Sequence, residues 1–309
     1  MARKITVAAL PPLHEKSVIY GHAAIKHMIG RWKEQLDLVL PDKPDLIVLP
    51  ECCDRFESHD LSERFEYYRE RGMEIRDFFA QEAKNNHTRI VYSSVWETPE
   101  AYRLNSSFFI GTDGEVKWRY DKNFPMMQGE YKEQNIRPGK APEVYQSDIG
   151  RIGAMICFDL NFEELLDHYR KQKPELLLFS SMFNGGLQGN IWAYRCRSYF
   201  IGATPFCCSV KNPLGMDVAT STHYSDYLTA KINLDYANVH YDYHFDKLKA
   251  LKAFYGPGVT ILDPDKLGSV LVTSELEGVS VDDMLKKFEI QRLDDYLADS
   301  AKVREFRIG

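Results

Sequence analysis

Apolar and polar positions alternate in blocks along the chain. Short strand-like runs recur near residues 4–10, 45–50, 88–95, 104–110, 115–121, 151–157, 175–181 and 201–210. Each has strand length and is bounded by turn-forming residues. Between them, apolar residues spaced three and four apart predict helices near 17–38, 59–85, 161–173 and 188–200. Strands alternating with helices predict an α/β fold. Asp113-Gly114, between the runs at 106–110 and 115–120, reads as a hairpin turn, so the sheets should be mixed rather than wholly parallel. There is no internal repeat, low-complexity segment or Pro/Gly/Ser linker, which favours one domain.

The pattern changes after residue 210. Leu228–Leu234, Gly258–Leu262 and Ser269–Thr273 are strand-like, and Phe245–Tyr255 reads as a short basic helix ended by Gly256-Pro257. The stretch from Val281 to Phe306 is charged and amphipathic, with Met284, Leu285, Phe288, Leu293, Tyr296 and Leu297 at roughly helical spacing. A domain over 1–280, atypical near 211–257, followed by a helical arm over 281–309, is the organisation this predicts.

Composition narrows the function. Hydrophobic residues make up 44% of the 309, enough for a large core, and the net charge is −6 with both signs dispersed. With no basic block, nucleic acid and anionic membranes are unsupported partners. The apolar runs are far too short to span a bilayer. The N-terminal apolar run stops at Pro11-Pro12 and reads as a first strand rather than a signal peptide. Six cysteines, four of them in the adjacent pairs Cys52-Cys53 and Cys207-Cys208, do not form a disulfide framework. Reduced thiols predict a cytoplasmic protein.

Three chemically active side chains fall at predicted strand ends. Cys157 closes Arg151–Ile156 and precedes a helical pattern, whose N-terminus would favour thiolate and could hold an oxyanion. Glu51 closes Leu46-Ile-Val-Leu-Pro50, where burial would raise its pKa towards a useful range for a general base. Lys122 closes Val116–Asp121, and its ammonium could stabilise developing negative charge. A nucleophile, a base and an electrostatic stabiliser suit thiol attack on a carbonyl.

The order Glu, Lys, Cys in the contexts IVLPE, YDK and GAMICFD resembles the nitrilase (carbon–nitrogen hydrolase) superfamily. Supporting matches are Leu104-Asn-Ser-Ser107, Thr112-Asp-Gly114, Arg137-Pro-Gly139, and Trp192 followed by Arg195-Cys-Arg197. The similarity runs from about residue 4 to about residue 210. It implies a four-layer α-β-β-α sandwich with two mixed sheets. It implies Cys157 as nucleophile through a thioester, Glu51 as base and Lys122 as stabiliser, with the Phe158 N–H as a second oxyanion donor. A second glutamate a few residues before a Pro-Gly would position substrate and support Lys122. Glu133 is nearer the expected spacing, and Glu130 is the alternative. Phe158-Asp159 after the cysteine resembles amidase and carbamoylase branches rather than nitrile-cleaving ones. The loop Ser180–Gly186 would line the pocket, with Phe158, Met182, Phe183 and Asn184 as substrate contacts. The resemblance further implies no cofactor or metal, a small linear amide or N-carbamoyl substrate and water as partners, and a homodimer or higher oligomer.

Other readings stay open. The same residues could serve an acyl- or amidotransferase, a nitrile hydrolase or a non-catalytic binding relative. His240-Tyr-Asp242-Tyr-His244 would place two imidazoles and a carboxylate on one face if it were a strand. Without a fourth ligand and among aromatics, these read as structural histidines. The cysteine pairs lack zinc-knuckle spacing and read as core residues.

Overall fold

The computed structural model describes residues 2–308. The chain divides into two compact units, residues 6–230 and residues 1–5 together with 231–309.

The larger unit is built on two sheets. The first takes β1 (Lys4–Ala9), β2 (Leu46–Val48), β3 (Arg89–Glu97), β4 (Arg103–Ile110) and β5 (Val116–Asp121). The second takes β6 (Tyr145–Gln146), β7 (Arg151–Ile156), β8 (Leu176–Ser180), β9 (Tyr199–Ala203), β10 (Ser209–Lys211) and β11 (Asp217–Thr220). With β12 (Leu228–Asn233), the first sheet runs β12-β1-β2-β3-β4-β5 and the second β11-β10-β9-β8-β7-β6. Both sheets are mixed: β1-β2-β3 are parallel and β3-β4-β5 antiparallel, while β7-β8-β9 are parallel with antiparallel strands on either side.

Helices cover each sheet. On the first lie α1 (Gly21–Val39), α2 (Leu61–Arg71) and α3 (Glu74–Asn85); with the second lie α4 (Glu163–Gln172) and α5 (Leu187–Cys196). In α1 the buried residues Ala24, Ile25, Met28, Trp32, Leu36 and Val39 form one stripe at helical spacing, facing the first sheet. Leu165, Leu166 and Tyr169 of α4 and Trp192, Ala193 and Cys196 of α5 share a core with Met155, Leu177 and Phe179. The architecture is therefore α-β-β-α. Ser180 ties the sheets together, accepting from Ser93 Oγ at 2.8 Å and donating to the Leu49 carbonyl at 2.8 Å.

Three expected elements are broken, each for a local reason. The helix over 59–85 is two helices because Gly72, at φ +49°, ends α2 with its N–H on the Tyr68 carbonyl. The strand over 201–210 is two strands, because Pro205 opens a turn in which the Cys207 N–H bonds the Pro205 carbonyl. The C-terminal amphipathic run is α7 (Val281–Lys287) and α8 (Leu293–Ile308), separated where Glu289 turns left-handed. The hairpin at Asp113-Gly114 forms, and Gly114 is required there: its φ is +83°, and a Cβ would lie 2.8 Å from the Ala80 carbonyl oxygen.

In the smaller unit, β13 (Tyr236–His240), β14 (Val259–Leu262) and β15 (Ser269–Ser274) form an antiparallel sheet in the order β13-β15-β14. Leu248 and Leu251 of α6 (Phe245–Tyr255), with Val281, Met284 and Leu285 of α7, pack on it in one core. Contacts divide the chain at 230/231, and the first turns of the expected arm supply core to this sheet. The stretch 211–257 is shared by both units.

Candidate active site

Glu51 stands two residues beyond Leu49, at the start of a turn held by the Cys53 N–H on the Ser93 carbonyl and the Arg55 N–H on the Cys52 carbonyl. Beneath the turn lies a buried network. Arg71 pairs with Asp54 and donates to Ser94 Oγ at 2.7 Å and to the Val95 carbonyl at 2.6 Å; the Tyr92 hydroxyl donates to Asp54 at 2.6 Å. Arg71 and Asp54 are sealed from solvent, so the pair holds the turn in one register. Cys52, next to Glu51, sits at φ +48°.

Lys122 leaves the end of β5 and is 1% exposed; Glu51 is 4% and Glu130 5% exposed. The ammonium donates to Glu51 Oε1 at 2.9 Å and to Glu130 Oε1 at 2.8 Å. Asn105 Nδ2, from β4, bridges the same two oxygens at 2.8 and 3.1 Å. The second oxygens are held by backbone: the Met182 N–H bonds Glu51 Oε2 at 3.2 Å and the Met126 N–H bonds Glu130 Oε2 at 2.7 Å. Two buried carboxylates can share this space because one ammonium lies against both.

Electrostatics follow from that geometry and correct an expectation. Burial alone would raise the Glu51 pKa, but the Lys122 charge and the hydrogen bonds from Lys122, Asn105 and Met182 outweigh it, and Glu51 is held below its ordinary value. Lys122 is likewise pushed up: Glu51 and Glu130 overcome the burial that would lower it. Both therefore stay charged near neutrality. Cys157 goes the other way. Burial, with the Glu51 charge adding, pushes its thiol up to about 12 against the opposing pull of Lys122 and Ser181. The resting sulfur is a neutral thiol beside an ionised carboxylate.

The expected helix N-terminus beneath Cys157 is absent. Cys157 opens a five-residue 3-10 turn, Cys157–Asn161, and α4 begins only at Glu163. The cysteine instead adopts φ +47°, which costs a non-glycine residue about 1–3 kcal/mol and turns the chain sharply at the end of β7. Asp159 stabilises this turn from within, accepting from the Ile156 N–H at 2.9 Å.

The structure brings Glu51, Lys122 and Cys157 together but not Glu133. Glu133 is exposed at the end of a π-helical turn, Met127–Glu133, whereas Glu130 points inward from the same turn to Lys122. The spacing to Pro138-Gly139 misleads because the π turn reorients the side chains. Met182 contributes its backbone to Glu51 and is half-buried. Phe158, at 37%, and Phe183, at 51%, are exposed beside Cys157 and Met182 respectively. Asn184 is exposed and accepts from the Gly186 N–H at 3.2 Å, which closes its own turn. Asn105, Ser181 and Asp159 were given no role by the sequence. The available signal for Asn105 was its place in the Leu104-Asn-Ser-Ser107 match to the family pattern.

His240 and His244 do not share a face: His240 ends β13 and His244 caps α6. His244 Nε2 accepts from the Gln291 N–H at 3.0 Å, and His240 stacks on Tyr296 with centroids 4.0 Å apart. Among the described residues no group of three or more His, Cys, Asp or Glu could hold a metal ion, and no helix is long and apolar enough to cross a membrane.

A sequence profile of the carbon–nitrogen hydrolase family matches residues 4–238. The chain belongs to this family. It is 28% identical over 188 residues to nitrilase homolog 2 of Dictyostelium discoideum, covering 55% of this chain and 56% of that protein. It is 27% identical over 146 residues to omega-amidase NIT2 of Xenopus tropicalis, covering 45% and 52%. It is 26% identical over 169 residues to the deaminated glutathione amidase of Dictyostelium discoideum, covering 49% and 57%. The chain spans about half the length of these curated relatives. Its fold is similar to that of Saccharomyces cerevisiae Nit3, a member of branch 10 of the nitrilase superfamily, with a TM-score of 0.61 at 18% identity over 75% of this chain and 90% of that one.

Proposed function

We propose that this family member is a thiol-dependent hydrolase that cleaves the C–N bond of a small linear amide. The observation that carries the reading is the buried Glu51–Lys122–Glu130 cluster, held at hydrogen-bond distances, with the neutral Cys157 thiol close enough to feel the charges of both Glu51 and Lys122. Because the resting sulfur is protonated, Glu51 removes the Sγ–H proton as sulfur attacks the carbonyl carbon. An ammonium has three N–H donors and Lys122 uses two on carboxylates, which leaves one for the developing oxyanion. The tetrahedral intermediate collapses, the C–N bond breaks, and Glu51 returns its proton to the departing nitrogen. Water then attacks the thioester with Glu51 again as base, sulfur leaves and recovers the proton, and the carboxylic acid is released. Glu130 keeps the ammonium in place between turnovers.

An amide is favoured over a carbamoyl group or a nitrile by the relatives' names, omega-amidase and deaminated glutathione amidase. Six unpaired cysteines support a reducing, cytoplasmic setting, and a homo-oligomer remains the assembly we infer from family resemblance. The test is ammonia release from a panel of amides, carbamoyl amino acids, carbamoyl amines and nitriles by the wild type and by Cys157→Ala. Turnover by the wild type on an amide and its loss in the variant are expected. Activity above about 1% of wild type in Cys157→Ala overturns the thiol mechanism.

A further inference from the structure

Asp159 sits two residues beyond Cys157, fully buried, and its two oxygens reach three donors from both sheets of the sandwich. Oδ2 accepts from the Ile156 N–H at 2.9 Å and from the Tyr120 hydroxyl at 2.7 Å. Oδ1 accepts from the Phe124 N–H at 2.8 Å. Ile156 is the residue before Cys157. Tyr120 and Phe124 lie two residues on either side of Lys122. A single carboxylate therefore grips the backbone of the cysteine turn and both flanks of the lysine.

We propose that Asp159 is a positioning residue, a clasp that registers the Cys157 turn against the Lys122 loop, and that the clasp closes only when its carboxylate is ionised. The inference rests on the amide-hydrolase reading for its effect on turnover, but not for its effect on the thiol. The geometry explains why charge is needed. The Ile156 and Phe124 N–H groups can only donate, so a proton on the carboxyl can be received only by the Tyr120 hydroxyl, which reverses that bond, and it removes the charge that strengthens both backbone contacts. The left-handed conformation of Cys157 makes the turn dependent on such an anchor, since the chain does not adopt it unaided.

Tyr120 from β5, Tyr169 from α4 and Lys122 beyond β5 are ionisable side chains that act on Asp159 or feel its charge. Burial raises the Asp159 pKa to about 6, against the lowering pull of Tyr120, the Ile156 and Phe124 N–H groups and Lys122. Burial pushes Tyr120 and Tyr169 well up, so neither ionises near neutrality. The clasp is closed above about pH 6 and opens as pH falls through that value.

Two readouts test this. The first is the rate of iodoacetamide labelling of Cys157 from pH 4.5 to 8.5, followed by mass spectrometry of the Cys157 peptide. An isolated thiol gives a straight line of log rate against pH. The wild type is expected to show a break near pH 6, and Asp159→Asn a straight line. The second is turnover of the amide identified by the substrate panel. Asp159→Asn is expected to lose about 10²-fold in kcat with KM little changed, the size of effect that misplacing reacting groups produces. Should Asp159→Asn fail to fold, Tyr120→Phe removes one donor and is expected to move the break to higher pH. A wild-type labelling profile without a break overturns the clasp, as does an Asp159→Asn profile identical to wild type or an unshifted break in Tyr120→Phe. If Cys157→Ala remains active, the thiol mechanism fails while the labelling profile of the wild type still decides the clasp.

Discussion

Replacing Lys122 by methionine tests the arrangement of the site most directly. The substitution keeps the length of the side chain but removes its charge, leaving Glu51 and Glu130 buried with oxygens that both lay within 2.9 Å of one Nζ. Asn105 Nδ2 still bridges them but carries no compensating charge. Removing one partner from a buried pair costs about 3–5 kcal/mol, because the remaining charge is uncompensated. At about 2–4 °C per kcal/mol for a unit of this size, Tm should fall by roughly 6–20 °C at pH 7. The pH dependence carries the sharper signature. In the wild type the Glu51 pKa is lowered, so its stabilisation is present above the unfolded value of 4.5 and fades as pH falls through the lower folded value. The raised Lys122 pKa adds stability that is complete below its ordinary 10.5 and lost only in strong alkali. In Lys122→Met the Glu51 carboxylate keeps its burial but loses the ammonium that lowered its pKa, so its folded pKa rises above the ordinary value and the folded protein binds the extra proton. Stability of the variant should therefore decline more than that of the wild type as pH rises from about 5 to 8, the wild type's own decline there coming from Asp159 and ending above about pH 6. Thermal unfolding followed by circular dichroism across that range reads the difference. Turnover should fall about 10²-fold or more, as for loss of one oxyanion donor. A variant with wild-type Tm at pH 7 and the wild-type slope between pH 5 and 8 would refute the buried two-carboxylate arrangement.

Two further outcomes separate competing placements. Glu130→Gln should lower amide turnover by at least about tenfold by weakening the hold on Lys122, whereas Glu133→Gln should stay within twofold of wild type, and ammonia-release kinetics on both variants checks the assignment. Met284→Ala, in the core of the smaller unit, should cost about 2–5 kcal/mol of stability with the active-site chemistry unchanged; urea unfolding monitored alongside turnover reads both, and a cost under about 1 kcal/mol would show that α7 is not part of that core.

Much of the site was legible in the sequence because its members occupy strand ends. A strand fixes the direction of the chain, and the residue just past its end emerges at the edge of the sheet, so Glu51, Lys122 and Cys157 could be read as one constellation from three strand-like runs and their terminal residues. The α/β alternation and the hairpin at Asp113-Gly114 were legible for the same reason, being set by local periodicity and by turn chemistry. Where the pattern failed, it failed at residues whose backbone leaves the ordinary regions: Gly72, Glu289 and the π turn that carries Glu130 inward and Glu133 outward. Apolar periodicity records which face is buried, not where the chain turns left-handed.

Charge states were decided by the tertiary structure alone. The sequence supported a raised Glu51 pKa and a helix-stabilised thiolate, since burial and helix ends are the effects that a strand-and-helix pattern suggests. The folded chain places Lys122 between Glu51 and Glu130, separated in sequence by 71 and 8 residues from it, and that ammonium reverses the sign of the Glu51 shift. It also buries Cys157 in a 3-10 turn, with the Glu51 charge nearby, and the burial first and the charge second leave the thiol protonated. A pKa depends on distances of a few ångströms between groups that the chain brings together only on folding. The sequence by itself determined the family, the layering and the chemical types at the site; the fold determined which glutamate meets the lysine, which groups carry charge, and how Asp159 ties the two together.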